Sequence, residues 1–405
     1  MMSLAPIFAF LVLGLGSCSP NGLARTPPRG WDSWNLFHRN INSSLFRAHA
    51  DSLVTLGLAA EGYDFVSVDG GWWAGVDTGK IIRNSTGFMS EDGAKFPEGM
   101  RALVDYVHSR GLKWGHYTDA GTAACNGDTP MSEGFEPQDA ALFVSWGADM
   151  LKVDGCSVSE PSEDIMERWA RLLNASGRPV LLSDCHNGCM NDPRDPKNGW
   201  ESWCTGAVNL WRTSRDISAT WASMLYNLDT LKGMGGRGGP GAWNDPDFLE
   251  VGIGEFAWAG TAASLQMNQA HFALWAVTSA PLIIGFDLRT PVPQLVALVS
   301  NAAALAVNDA YAGNSGDFVR NVTSVDLWSK PLPNGSAAAV VVNRATSGPA
   351  LAFSVLLEEL PGLLPGSTDC VATNVFTGDG NQVHLNFTVI VAPQSAAFYV
   401  FSGCT

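Results

Sequence analysis

Short apolar runs alternate with amphipathic stretches over the first three quarters of the chain. Helical spacing of apolar positions occurs between the runs, for example over 46–58, 100–110, 137–146 and 165–174. Eight strand-like runs that alternate with helices predict a (β/α)8 TIM barrel with a parallel sheet, over residues 24–303. The runs occupy residues 29–35, 63–71, 112–121, 149–156, 179–186, 209–217, 241–252 and 281–289.

The pattern changes after Asn308, where the helical spacing stops. Short alternating runs separated by Gly, Pro, Asn and Asp predict an antiparallel β domain over residues 304–405. Cys370 and Cys404 can close this domain with a disulfide. The runs are 325–332, 337–345, 351–357, 368–376, 382–392 and 395–403.

The chain begins with an apolar run from Ala5 to Gly16, followed by small residues, which predicts a signal peptide over residues 1–19. Leu15 to Cys18 also fits a bacterial lipoprotein box, so that alternative stays open. Six N-x-[ST] sequons favour a eukaryotic secretory route and a secreted or vacuolar/lysosomal protein. They begin at Asn42, Asn84, Asn174, Asn321, Asn334 and Asn386.

Composition and charge exclude some classes of function. The net charge of −15 makes nucleic-acid partners improbable. The chain has no second apolar span, so we do not expect a membrane-spanning protein. The 15 Trp residues suit sugar rings as well as cores. The eight Cys residues lack the spacing of a structural zinc site and are expected to pair in an oxidising compartment.

Acidic residues stand at or just past the ends of most predicted strands. In a TIM barrel these positions converge on the C-terminal mouth, where active sites lie. Turn or helix-cap chemistry explains one or two of these acids, but not acids after most of the strands. The residues are Asp69, Asp119, Asp154, Asp216, Asp245, Asp247 and Asp287.

Two of these acids suggest glycoside hydrolysis, which uses a pair of carboxyl groups across one pocket. Asp154 follows Lys152 by two residues on the fourth strand, and Asp216 follows Arg212 by four on the sixth. No His-x-His or similar spacing suggests a catalytic metal.

The blocks TPPRGWDSWN, YTDAG, SWGADMLKVDGC, WRTSRDI, WNDPDFL and ALWAVTSAPLIIGFDLR, in this order, resemble the α-galactosidases of glycoside hydrolase family 27. The resemblance implies a (β/α)8 barrel followed by a C-terminal antiparallel β-sandwich domain. It also implies a retaining exo-glycosidase that cleaves terminal α-galactosides without a cofactor or metal. Asp154 is then the nucleophile and Asp216 the general acid/base.

The resemblance also supplies candidate sugar contacts and a disulfide. We expect Cys125 to pair with Cys156, clamping the loops after the third and fourth strands. We further expect Lys152 to help keep Asp154 ionised. The predicted substrate-binding residues are Trp34, Asp69, Trp72, Tyr117, Lys152, His186, Arg212 and Asp247.

Departures from the family pattern leave the exact sugar open. Gly70 stands where the family usually has a second acid, and His186 where it usually has Glu. Arg39 and Gly71 replace a disulfide that often joins the first two loops, and Phe248 replaces a Met. A β-L-arabinopyranosidase or another α-glycosidase is therefore an alternative, and a non-catalytic carbohydrate-binding barrel is an alternative of another class. The chain is expected to be a monomer or homodimer.

Overall fold

The computed structural model describes residues 21–185, 187–192 and 199–405, so the predicted signal peptide and His186 lie outside the described residues. A parallel eight-stranded sheet forms the barrel, in the order β7-β6-β5-β4-β3-β2-β1-β8. A bridge between Leu249, just past β7, and Ile284 of β8 joins the two ends. All eight predicted strands are confirmed. They are β1 (Arg29–Asp32), β2 (Tyr63–Ser67), β3 (Lys113–Asp119), β4 (Met150–Asp154), β5 (Leu181–Cys185), β6 (Leu210–Arg212), β7 (Trp243–Asp245) and β8 (Leu282–Ile284).

Helices connect these strands and cover the sheet. Side-chain caps define several helix starts, as at Asn42, whose side chain accepts the backbone N–H of Leu45. The ten α-helices of the described residues are α1 (Trp34–Phe37), α2 (Ser43–Thr55), α3 (Met100–Ser109), α4 (Glu136–Trp146), α5 (Ser162–Ala175), α6 (Trp203–Ala207), α7 (Trp221–Asp229), α8 (Ala262–Val277), α9 (Pro293–Val299) and α10 (Ala302–Asp309).

A second, antiparallel sheet follows the barrel and surrounds its own apolar core. Its order is β12-β15-β14-β13-β16-β11-β10-β9. The prediction of a barrel followed by an antiparallel β-sandwich is confirmed. The strands are β9 (Asp317–Val322), β10 (Val325–Leu332), β11 (Ser336–Asn343), β12 (Leu351–Leu356), β13 (Asp369–Asn374), β14 (Gly380–His384), β15 (Asn386–Val391) and β16 (Ser395–Ser402).

Two strand predictions in the second sheet were wrong. The segment of β9 was not predicted as a strand, because its largely polar face hides the alternation. The run 382–392 was predicted as one strand, but it is the end of β14, a turn at Leu385 and β15. Leu385 has φ +58°, a left-handed conformation that a non-glycine residue adopts rarely, so the local sequence did not signal the turn.

The apolar core of the barrel continues into the contact with the second sheet. Trp328, Val340 and Phe398 are fully buried in the same cluster as α8. The disulfides expected for Cys125–Cys156 and Cys370–Cys404 are present, and Cys189–Cys204 is a third. Cys185 keeps a free, buried thiol. Within the described ranges, no helix is long and apolar enough to cross a bilayer.

Candidate active site

The predicted acids meet at the end of the barrel where its parallel strands terminate. Asp154 ends β4, Arg212 ends β6, and Asp69 and Asp247 follow β2 and β7 by two residues. This is the mouth at which TIM-barrel enzymes place their chemistry. A cavity of about 700 Å³ lies at the opposite end, around the starts of β1, β2 and β3, and none of the predicted site residues lines it.

Asp154 is held in one orientation by its neighbours. Its Oδ2 accepts a hydrogen bond from the Tyr117 hydroxyl at 2.8 Å, and its Oδ1 accepts the backbone N–H of Gly155 at 2.8 Å. Tyr117 and Lys152 are partners across β3 and β4, which brings both next to Asp154. Burial raises the pKa of the Asp154 carboxyl, and Lys152 and the Tyr117 hydroxyl oppose that rise. These two neighbours therefore favour the ionised form that a nucleophile needs.

Asp216 has a different environment, although it faces the same mouth. Its side chain is 86% exposed and forms an ion pair with Arg212, whose Nη2 lies 3.1 Å from Asp216 Oδ1. That guanidinium holds the pKa of Asp216 below its usual value. A general acid must carry a proton, so the predicted role of Asp216 requires this contact with Arg212 to weaken before the carboxyl group can donate.

Two ion pairs with little solvent exposure lie beside the two predicted catalytic acids. Lys152 Nζ lies 2.7 Å from Asp69 Oδ2, and Arg212 Nη2 lies 2.7 Å from Asp247 Oδ2. The direct partner of Lys152 is thus Asp69, and its effect on Asp154 acts over a longer range. Burial lowers the pKa of Lys152, but the surrounding acids, led by Asp69, raise it well above its usual value. Lys152 stays charged and can donate to sugar hydroxyls.

Aromatic side chains line the mouth beside these pairs. Trp34 is half-buried at the start of α1. A Cβ on Gly70 would lie 3.5 Å from the Trp34 ring and 3.7 Å from the Tyr117 ring. Gly70 therefore faces the aromatic wall, and an added Cβ there would make only ordinary van der Waals contacts.

The structure contradicts the prediction for Trp72. This side chain is fully buried and packs against His116, Phe143 and Trp146. Its indole N–H donates to the backbone carbonyl of Tyr117 at 2.9 Å. Trp72 has no accessible face on which a sugar could stack, because α4 covers it; it is a core residue. His186, another of the predicted substrate-binding residues, lies outside the described residues.

Sequence reasoning missed Asp32 and Cys185. Asp32 ends β1 and lines a small cavity under Lys152 and Arg212. Burial raises the pKa of Asp32 well above its usual value. The rule that selected the other acids, an Asp at the end of a strand, also fits Asp32. The Cys185 thiol lies 3.2 Å from Arg212 Nη1, and nothing in the sequence distinguished it from the paired cysteines.

Asp119 is a buried neighbour of Asp154. The two residues are partners across β3 and β4, and Cys125 Sγ lies 3.3 Å from Asp119 Oδ2 and 3.4 Å from Asp154 Oδ2. Burial, and then the charge of Asp154, raise the pKa of Asp119 to about 8. Cys125 and Cys156 stand close enough to both acids to suggest a metal site, but their sulfurs are joined in a disulfide and are not free thiolate ligands.

Comparison with known proteins supports the same assignment as the geometry. A sequence model described as alpha galactosidase A matches residues 26–310, and one described as alpha galactosidase C-terminal beta sandwich domain matches residues 322–401. The chain belongs to the α-galactosidase A family. An α-galactosidase from Oryza sativa subsp. japonica is 38% identical over 386 residues, which cover 94% of this chain and 86% of the relative.

Other relatives agree with this membership. An α-galactosidase from Cyamopsis tetragonoloba is 39% identical over 330 residues, covering 81% of this chain and 75% of the relative. The crystal structure of α-galactosidase I from Mortierella vinacea superposes with a TM-score of 0.81 at 26% identity and covers 95% of this chain and 98% of that one. The family and the two-domain fold implied by the sequence resemblance are therefore confirmed.

Proposed function

We propose that the protein is a retaining exo-α-galactosidase with Asp154 as the nucleophile and Asp216 as the general acid/base. The observation that carries the proposal is the Asp154 carboxylate, fixed by the Tyr117 hydroxyl and the Gly155 N–H at the end of β4. Relatives that are named α-galactosidases and cover most of the chain support the choice of reaction.

The reaction takes two displacements. An oxygen of Asp154 bonds to the anomeric carbon while the bond from that carbon to the leaving oxygen breaks, and Asp216 gives its proton to that oxygen. Asp216 then takes a proton from water, whose oxygen bonds to the same carbon and releases Asp154. The released sugar keeps its original anomeric configuration.

The charged pairs supply the sugar contacts. Lys152 and Arg212 present N–H donors, and Asp69 and Asp247 present acceptors. Gly70 removes one carboxylate that the family usually supplies, which reduces the contacts available to sugar hydroxyls. This single feature favours β-L-arabinopyranosides or other α-glycosides as a second candidate substrate class, because a lost hydrogen-bond partner weakens discrimination.

Chromogenic substrates test the proposal directly. We expect p-nitrophenyl α-galactoside to be hydrolysed with a higher kcat/KM than the β-L-arabinopyranoside and the α-glucoside. NMR of the first product should show the α anomer. Faster cleavage of either other substrate would reassign the specificity, and sugar binding without any hydrolysis would instead favour a carbohydrate-binding barrel.

A substitution at Gly70 tests the origin of the specificity. Gly70→Asp should raise the preference for galactoside over β-L-arabinopyranoside about 10-fold if the new carboxylate binds the C6 hydroxyl, which arabinopyranose lacks. One hydrogen bond to a charged group is worth roughly 1.5 kcal/mol or more. Gly70→Ala is the matched control, because it adds the same Cβ without the carboxylate. Equal substrate ratios in both variants would show that Gly70 does not set the specificity.

We also propose passage through the secretory pathway to a secreted or vacuolar/lysosomal location, supported by the three disulfides. Asn84 is exposed and forms an Asx turn with Thr86, so its sequon is accessible. Cleavage after residue 19 and a monomeric or dimeric state stay predictions. Mass spectrometry and light scattering of the purified protein would check them.

A further inference from the structure

The loops after β1 and β2 touch each other beside the candidate sugar contacts. Arg39 follows Trp34 by five residues, and Gly71 follows Asp69 by two. Gly71 has φ +98°, and a Cβ there would lie 2.6 Å from Cγ of Arg39. Only a residue without a Cβ permits this approach. The two loops are not linked by a disulfide. The side chains of Arg39 and Asp77 form an ion pair between them, and a second contact joins their backbones.

One ammonium group bridges the backbones of both loops. Lys95 Nζ donates to the carbonyl oxygen of Arg39 at 2.9 Å and to that of Gly71 at 2.8 Å. The Lys95 backbone is itself anchored, because its carbonyl accepts the N–H of Ser43 at the start of α2. Half-burial lowers the pKa of Lys95, whereas Asp92 and Asp77 raise it. Lys95 forms no ion pair within the described residues. Its ammonium group donates to these two carbonyl oxygens instead.

The bridge lies a few residues from groups assigned to the sugar. The backbone at Gly70 approaches the Trp34 ring closely enough that an added Cβ would touch it at 3.5 Å. A shift of either loop therefore changes the gap between the aromatic face of Trp34 and the carboxylate of Asp69. Hydrogen bonds from charged donors are among the stronger ones, and two from one group restrain both loops together.

We propose that Lys95 is a positioning residue, which fixes the two loops that carry Trp34 and Asp69 and thereby sets the affinity for the sugar. Lys95 itself is not placed in contact with the substrate. The inference rests on the proposed function, because its main measurement is made on a glycoside.

Lys95→Met removes both donors and keeps an unbranched side chain. We expect KM for p-nitrophenyl α-galactoside to rise about 10-fold with kcat changed less than about threefold, because the reacting carboxylates are untouched. Trypsin should cut after Arg39 faster than in the wild type. Lys95→Arg keeps cationic donors and should hold KM within about threefold of the wild type. Lys113→Met, which removes a lysine paired with Asp64 at the other end of the barrel, is the control.

Faster cleavage after Arg39 with an unchanged KM would overturn the proposal, because Lys95 would then only stabilise the loops. A KM in Lys95→Arg as high as in Lys95→Met would also overturn it. If Lys95→Met does not fold, Lys95→Gln, which keeps one amide donor group, should give an intermediate KM. A wild type that hydrolyses no glycoside contradicts the proposed function instead, and calorimetric binding of galactose then compares the same variants.

Discussion

Two lysines, one partly buried and one fully buried, occupy opposite kinds of environment in this molecule. Lys152, at the barrel mouth, pairs with the carboxylate of Asp69 and lies 4.9 Å from the centre of the Phe248 ring. Lys330, on β10 where the second sheet packs on the barrel, contacts only neutral oxygens. Its acceptors are Ser279 Oγ and the carbonyl oxygens of Val307 and Asn308.

The pKa values of the two lysines shift in opposite directions for this reason. Nearby carboxylates raise the pKa of Lys152 in spite of its burial. Burial lowers the pKa of Lys330 to about 7, with only Asp309 opposing it. The mouth keeps charge and leaves donors for a ligand, whereas the contact between the domains uses all three donors of Lys330 internally. Buried polarity thus serves binding in one region and packing in the other.

The largest expected effect is the loss of turnover in Asp154→Asn and Asp216→Asn. Each should lower kcat for p-nitrophenyl α-galactoside by at least about 1,000-fold, because an amide is a poor nucleophile and cannot donate a carboxylic proton. Steady-state kinetics measures the loss, and near-UV circular dichroism checks that the fold is intact. Near-normal activity in either variant would refute the assigned roles.

Lys152→Met should have the next largest effect, again on activity. We expect kcat/KM to fall about 100-fold, since the variant loses a charged donor to the sugar and leaves Asp69 without its partner. The melting temperature should fall less than in Lys330→Met, because Asp69 Oδ1 keeps the hydrogen bond from the Gly70 N–H at 2.6 Å. A large loss of stability at unchanged kcat/KM would mean that Lys152, like Lys330, contributes to packing and not to binding.

Lys330→Met should show the reverse. The substitution leaves three buried oxygens without donors, so the free energy of unfolding should fall by about 3 kcal/mol, as measured by urea denaturation. Activity of the folded fraction should be unchanged. Lys80→Met, at an exposed lysine, is the control. A drop in kcat/KM for Lys330→Met without a change in stability would contradict the assignment of Lys330 to packing.

The contrast also explains what could be predicted from the sequence. The eight barrel strands and the acids at their ends could be predicted, because hydrophobic alternation and residue spacing are local properties of the sequence. The pairing of Lys152 with Asp69 could not be predicted in this way, because it joins β4 to the loop after β2. Trp34 and Trp72 follow β1 and β2 in similar local patterns, yet only Trp72 is covered by α4. Burial by a distant helix leaves no local trace, so Trp72 was assigned incorrectly.

The stability of the protein should also depend on pH through Asp119, the buried acid next to Asp154. In the unfolded chain an Asp titrates near 4, but in the folded protein the pKa of Asp119 is about 8. Between these values only the folded state keeps the proton, so Asp119 lowers the stability of the wild type progressively as pH rises from 4 to 8. Asp119→Asn cannot titrate there. Its stability relative to the wild type should therefore increase over this window and stay constant above it.

Asp128→Asn is a control with the opposite sign. Burial alone would raise the pKa of Asp128, but hydrogen bonds from the Trp73 and Asn126 side chains and from the Asp77 and Gly79 backbone lower it. Asp128 therefore stabilises the fold above pH 4, and the advantage of the wild type over Asp128→Asn should vanish as pH falls below that value. Urea denaturation from pH 3 to 9 measures both slopes. Slopes of the same sign would show that burial does not dominate at Asp119, and that Asp154 has an ionised neighbour at neutral pH.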